Sequence, residues 1–211
     1  MRAEAEHTVH IDAGQVVLEG MLEIPENAPG VVVFAHGSGS GRFSPRNQFV
    51  AEVLRERGIG TLLIDLLSEQ EANDRNKVFD IDLLTQRVIS ATDWLESNDE
   101  TEELSVGYFG ASTGAAAALQ AAAKRPEVKA VVSRGGRPDM AMNFLPNVSA
   151  PTLLIVGGND IPVIAMNRQA YDALTCTKEL VIVPRATHLF EEPGTLEEVA
   201  RLAAEWFRKH L

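Results

Sequence analysis

Gly110-Ala111-Ser112-Thr113-Gly114 is the stretch whose reading decides the fold. The run before it, Leu104-Ser105-Val106-Gly107-Tyr108-Phe109, has the composition of a buried strand, and the Ala-rich run after it, Ala115 to Ala123, is a strong helix former. Strand, G-x-S-x-G and helix, in that order, read as a nucleophile elbow. Such a turn lifts a serine hydroxyl clear of the sheet edge at a helix N-terminus. Glycine at 110 and 114 suits it, because so tight a turn leaves little room for Cβ atoms. The pentapeptide alone is a common pattern; the strand before it and the helix after it make it specific.

Seven further strand-like runs flank this one: Thr8–Ile11, Val16–Ile24, Val31–Ala35, Thr61–Asp65, Ala130–Ser133, Thr152–Val156 and Leu180–Val183. The first two alternate and join through Ala13-Gly14, which predicts an antiparallel hairpin at a sheet edge. The later ones are short and apolar throughout, as parallel strands covered on both faces must be. Between them lie helical patterns. Ser44-Pro45 predicts a helix start, with Phe49, Val50, Val53 and Leu54 as its buried stripe. Asp80 is the predicted cap of a helix whose apolar residues Ile81, Leu84, Val88, Ala91 and Leu95 recur at three and four. Thr195 and Glu198 have the spacing of a capping box for the last helix. Leu196, Val199, Ala203, Trp206 and Phe207 face inward there, with Arg208, Lys209 and His210 at its C-terminal end. The alternation predicts one α/β domain over residues 1–211: a mostly parallel open sheet of about eight strands with helices on both faces.

In such sheets ligands bind beyond the carboxyl ends of the strands, so polar residues just after strands are the candidates for chemistry. They are His36-Gly37-Ser38-Gly39-Ser40-Gly41-Arg42, Asp65, Ser112, Arg134-Gly135-Gly136-Arg137, Gly157-Gly158-Asn159-Asp160 and Pro184-Arg185-Ala186-Thr187-His188. Acyl transfer from a serine needs a base for its proton, an acid to orient the base and donors for the oxyanion. Of the five histidines, His7, His10 and His210 fall on the edge hairpin and the last helix, leaving His36 and His188. His188 follows the last strand and Asp160 the strand before it. The chain order Ser112, Asp160, His188 is one in which nucleophile, acid and base occur on α/β sheets. Each has a plainer alternative: Ser112 as a helix cap, Asp160 as the cap of a helix from about Pro162, His188 as a surface loop residue. His36 and Asp65 are read as structural.

Together His36-Gly37, Gly110–Gly114, Gly157-x-x-Asp160 and Ala186-Thr187-His188 make the whole chain resemble an α/β-hydrolase, most closely the small, lidless dienelactone-hydrolase-like branch. The resemblance implies a Ser112–His188–Asp160 triad and an oxyanion hole from the backbone N–H groups of Ser38 and Thr113. It implies no cap domain; Arg137–Val148, where relatives insert one, is short. Met140, Met142, Phe144 and Leu145 there would form a wall of an acyl pocket or pack as core. Dienelactone hydrolases proper carry a cysteine nucleophile. This chain has Ser112, and its one cysteine, Cys176, falls in a helix or at its end. The expectation is therefore a serine esterase acting on a carboxylic ester or related acyl bond of a small substrate. The alternatives are a thioesterase or perhydrolase with the same triad, or a non-catalytic protein of this fold that binds a small acid.

The glycine-rich loop has a rival reading as a phosphate cradle, with Asp65 as a ribose-binding acid. G-x-G-x-x-G from Gly37 would require glycine at 42, where the chain has Arg42, so a dinucleotide cofactor is not expected, nor any other. The single cysteine and scattered histidines give no metal-ligand spacing. Arg42, Arg46, Arg134 and Arg137 all follow strands at the same edge. They point to an anionic group on the substrate, or else they pair with local acids such as Asp139. Ser68–Lys77, polar and charged, is read as a mobile surface loop.

Composition sets the outer limits. The 211 residues are 45% hydrophobic and 23% charged, with a net charge of −11, which excludes a nucleic-acid binder or a polybasic membrane binder. One cysteine allows no intrachain disulfide. Met1–Glu6 lacks the apolar core of a secretory signal, and no apolar stretch approaches the ~18 residues of a membrane span. A cytoplasmic location is expected; oligomeric state is not readable.

Overall fold

The computed structural model describes residues 7–211; Met1–Glu6, read above for a leader, lie outside them. The eight predicted strands form one sheet. They are β1 (His7–Asp12), β2 (Val17–Glu23), β3 (Gly30–Ala35), β4 (Gly60–Ile64), β5 (Ser105–Ala111), β6 (Ala130–Arg134), β7 (Thr152–Gly157) and β8 (Lys178–Val183), in the spatial order β1-β2-β4-β3-β5-β6-β7-β8. The hairpin β1–β2 is antiparallel and its second strand pairs antiparallel with β4; every other pairing is parallel. A Val16-to-Ala13 backbone bond and Gly14 at φ +86° close the hairpin. Every residue of β3, β4, β6 and β7 is buried, as their mostly apolar sequences require, with Thr61, Ser133, Arg134 and Thr152 the polar exceptions.

Helices cover both faces. They are α1 (Pro45–Glu56), α2 (Glu69–Ala72), α3 (Arg75–Val78), α4 (Ile81–Ser97), α5 (Thr113–Lys124), α6 (Ile161–Ala173) and α7 (Thr195–His210), with a 3₁₀ segment over Pro138–Asn147. On one face α4, α5, α6 and the 3₁₀ segment pack on Val31, Val33, Tyr108 and Leu154. On the other, α1 and α7 pack on Val32, Phe34, Phe109 and Ile155. Ser44 and Asp80 cap α1 and α4 as expected, accepting from the N–H groups of Asn47 and Leu83.

Three expectations need correction. The last helix has no capping box: Gly194, at φ +81°, is its N-cap, and Thr195 is its first helical residue. The Thr195 hydroxyl instead donates backwards to the Glu192 carbonyl at 2.7 Å. Ser68–Lys77 is not an open loop but mostly the short helices α2 and α3, and a true capping box sits there, between Ser68 and Glu71. Glu71 is buried and forms a two-pronged pair with Arg87 of α4, both bonds at 2.8 Å. Cys176 lies beyond the end of α6, in the connection to β8.

Candidate active site

The pentapeptide folds as its context predicts. β5 ends at Ala111 and α5 begins at Thr113, which leaves Ser112 alone at the corner with φ 52°, ψ −122°. A left-handed φ is strained for a residue with a Cβ and costs on the order of 1–3 kcal/mol. The surroundings impose it: Ser112 N–H donates to the Arg134 carbonyl at 3.4 Å, and its own carbonyl accepts from Ala115 at 3.1 Å and Arg137 at 3.0 Å. A Cβ on Gly114 would overlap the Ala35 carbonyl oxygen, and one on Gly110 would overlap Ala115 Cα. Strand end, helix start and β3 therefore meet at closer quarters than any other residue allows. The Ser112 hydroxyl makes no capping bond to α5.

Asp160 occupies the N-cap position of α6, yet its side chain makes no capping bond. Its Oδ2 lies instead 2.7 Å from His188 Nδ1. The carboxylate side is largely buried and the ring about two-fifths exposed. Nδ1–H donating to Asp160 leaves Nε2 as the acceptor. The two loops are tied together: Asn159 N–H donates to the Ala186 carbonyl at 2.9 Å and its side chain to the Arg185 carbonyl at 3.2 Å. Glu192 braces the histidine turn by accepting from Thr187 N–H at 3.1 Å and from the Thr187 hydroxyl, and these bonds hold its carboxyl below the usual range. Gly135, at φ +52°, carries the His188 turn across the end of β6: a Cβ there would sit 3.2 Å from the His188 carbonyl oxygen and 3.5 Å from its Nδ1. The residue before it, Arg134, gives its carbonyl to Ser112, so elbow and histidine turn flank the same strand end.

The loop after β3 completes the arrangement. A Cβ on Gly37 would lie 3.1 Å from Ser112 Cβ, so this backbone rests directly on the elbow. The turn closes around Ser38 through Ser40 N–H to the Gly37 carbonyl at 3.2 Å. Thr113, at the first position of α5, has an N–H without an intrahelical acceptor. His36, read as structural, has a definite job. Its Nε2 accepts from Leu66 N–H at 2.9 Å, so the ring proton is on Nδ1, which donates to the Gly37 carbonyl at 2.9 Å. Burial pushes its pKa down, which keeps the ring neutral in this role.

The four edge arginines separate into two kinds. Arg42 is neutralised: its N–H donates to Asp65 Oδ1 at 2.7 Å, and its guanidinium pairs with Asp65 and, at 2.6 Å, with Glu19. This gives Asp65 the loop-orienting part expected of it. Arg137 is neutralised by Asp139 through two bonds, at 3.0 and 2.9 Å. Arg46 and Arg134 have no carboxylate partner among the described residues.

A cavity of about 550 Å³ opens beside the elbow on the β2–β4 side. Ser38 and Thr113 line it together with Leu67, Val78 and Leu84. Met140, Met142, Phe144 and Leu145 do not; Leu145 packs as core. The wall comes instead from the segment read as a loop, anchored by Glu71 and Arg87. Sequence reasoning missed Glu71, Arg87 and Glu192: the Ser68-x-x-Glu71 spacing was a readable capping-box signal and Glu192 bonds Thr187 five residues before it, whereas the Glu71–Arg87 pairing is set by the fold. Among the described residues no cluster of three or more His, Cys, Asp or Glu could hold a metal, and no helix is long and apolar enough to cross a membrane.

The family model described as the dienelactone hydrolase family matches residues 18–210. The chain belongs to the dienelactone hydrolase family. Its similarity extends across structures. A dienelactone hydrolase of Anabaena variabilis is 60% identical, with a TM-score of 0.97 and 99% of each chain covered. The Pyrococcus furiosus esterase Pf2001 superposes with a TM-score of 0.85 at 18% identity, over 99% of this chain and 94% of that one. Est1E of Butyrivibrio proteoclasticus does so at 0.79 and 17%, over 97% and 98%. At these identities the two esterases attest the fold. A Mycobacterium tuberculosis protein with the provisional name of phosphoribosyl transferase is 57% identical over 204 residues, 96% of this chain and 46% of that protein. The chain thus spans about half the length of the curated relatives it matches. The family model and the 60%-identical structure place this chain in that family, on the α/β sheet that its sequence predicts.

Proposed function

We propose that this protein is a serine hydrolase cleaving a carboxylic ester or related acyl bond of a small substrate through an acyl-enzyme. Ser112 Oγ attacks the carbonyl carbon while His188 Nε2 takes its proton. Asp160 holds the ring in the tautomer that leaves Nε2 free and stabilises the imidazolium that forms. The N–H groups of Ser38 and Thr113 receive the developing oxyanion, the second aided by the N-terminus of α5. Collapse of the tetrahedral intermediate expels the leaving group, protonated by His188, and water attacks the acyl-Ser112 by the same route in reverse. The cavity beside Ser38 and Thr113 takes one side of the substrate.

The observation that carries this reading is the Asp160–His188 bond of 2.7 Å, made by a residue at a helix N-cap that forgoes its capping bond. The transfer named for the mycobacterial relative is not carried over, because this chain corresponds to 46% of that protein and presents an elbow with a His–Asp pair. A fluorophosphonate probe tests the proposal. Covalent labelling lost in Ser112→Ala is expected; a folded protein that takes no label at pH 8 would be a non-catalytic member of the fold.

A further inference from the structure

Arg134 stands at the carboxyl end of β6 and is only 6% exposed. Its guanidinium meets Asn47 Oδ1 at 3.4 Å and the Phe190 ring at 5.9 Å, and no carboxylate among the described residues; its Nε is buried without a partner among them. The second unpaired cation is beside it: Arg46, in the first turn of α1, whose Nε is likewise buried and unpartnered. Burial, and after it the charge of Arg46, pushes the Arg134 pKa down to about 10. The first turn of α1 carries no acidic residue, so the positive end of that helix, capped by the neutral Ser44, has no countercharge there.

Burying a charge without a counterion costs several kcal/mol, and placing a like charge next to it costs more. Elsewhere along this edge the chain supplies counterions, to Arg42 from Asp65 and to Arg137 from Asp139. At Arg46 and Arg134 it supplies none among the described residues. We infer that Arg46 and Arg134, with the N-terminus of α1, form a subsite for an oxyanionic group, carboxylate or phosphate, borne by the substrate that Ser112 attacks. This rests on the proposed acyl transfer at Ser112. Arg134 hands its carbonyl to Ser112 N–H, and Phe190 lies two residues past His188, so the subsite adjoins the reacting centre. The 550 Å³ cavity is lined by neither Arg46 nor Arg134. The anionic end therefore binds outside that cavity.

The test uses the whole chain in two arms. In the first, Ser112→Ala protein is titrated at low salt with succinate and with inorganic phosphate, read by thermal shift. A saturable rise in Tm is expected with at least one of them, with apparent affinity weakened on the order of 10-fold or more by added R46M or R134M. No saturable rise, or one untouched by both substitutions, overturns the subsite. Loss of an unpaired buried charge should leave R134M at least as heat-stable as its parent, and R46M changes a half-exposed residue, so folding does not confuse the result. In the second arm, kcat/KM is measured for the mono-4-nitrophenyl ester of succinic acid and for 4-nitrophenyl butyrate. The ratio of the two should fall by roughly 10-fold or more in either variant. An unchanged ratio, with anion binding in the first arm intact, overturns the assignment to substrate. Failure of Ser112 to label with a fluorophosphonate overturns the acyl-transfer reading and that assignment with it, while the first arm still reports on the subsite alone.

Discussion

His188 Nδ1 and Asp160 Oδ2 stand 2.7 Å apart, although 28 residues separate them in the chain and each ends a different strand's connection. A carboxamide at 160 would keep the shape and present the wrong hydrogen-bonding partner to the ring. Asp160→Asn is expected to lower kcat on an activated ester by about 10³–10⁴-fold with little change in KM. Steady-state kinetics beside a thermal melt checks this; a variant that keeps kcat within tenfold would remove Asp160 from the mechanism.

Gly114 and the Ala35 carbonyl share a space that admits no Cβ. Gly114→Ala must push α5 away from the end of β3. A loss of about 2–3 kcal/mol of stability is expected from the overpacking. Activity should fall further than stability, because Ser38 and Thr113 sit on the two elements forced apart. Urea denaturation and ester kinetics on the same preparation separate the effects.

His36 joins two loops only while neutral. Its pKa lies below the ordinary 6.5 in the folded chain, so between 6.5 and that lowered value the unfolded chain binds more protons. Its contribution to stability is therefore complete above 6.5 and is lost as pH falls through the window below it. His36→Ala should cost about 1–3 kcal/mol at pH 7.5 by leaving Leu66 N–H unpaired. The gap between variant and wild type should narrow at pH 5. His210, also held low by burial, is common to both proteins and cancels in that difference.

Arg87 and Glu71 pin the wall of the cavity to α4. The guanidinium holds the Glu71 carboxyl at about 2, against an ordinary 4.5. The sign is that of a stabilising carboxylate: the contribution is present above 4.5 and disappears as pH falls through about 2. Arg87→Met leaves the buried Glu71 carboxylate with only the Ser68 N–H and a distant Lys77 at 4.0 Å, at an expected cost of roughly 3–5 kcal/mol. Replacing both by Met and Leu should recover most of that stability. Denaturant titration of the two variants near pH 7 is the check, and equal losses in both would remove the pair from the account.

Much of this protein is legible in one dimension. Apolar runs of strand length, separated by helix-length patterns, determine a mostly parallel α/β sheet, since backbone groups of fully apolar segments can be satisfied only by neighbours of the same kind. Gly110–Gly114 determines the corner, since only glycine tolerates the approach of Ala35 and Ala115. Asp160 and His188 are singled out in the sequence because each follows a strand, and the fold brings them within 2.7 Å. Local caps were readable at Ser44 and Asp80 and misread at Thr195, where Gly194 takes the position with a left-handed φ.

What only the tertiary structure decided is pairing. Arg137 has Asp139 two residues on, but no local pattern distinguishes Arg42, whose carboxylates come from Glu19 and Asp65, from Arg46 and Arg134, which have none among the described residues. Nor does one show that Asp160 turns from its helix to His188, or that a charged stretch after β4 is pinned by Glu71 to Arg87 and walls the cavity. A side chain's chemistry is written in the sequence. Whether its charge is compensated depends on which distant residue the fold brings within three ångströms, and burial then makes the difference matter.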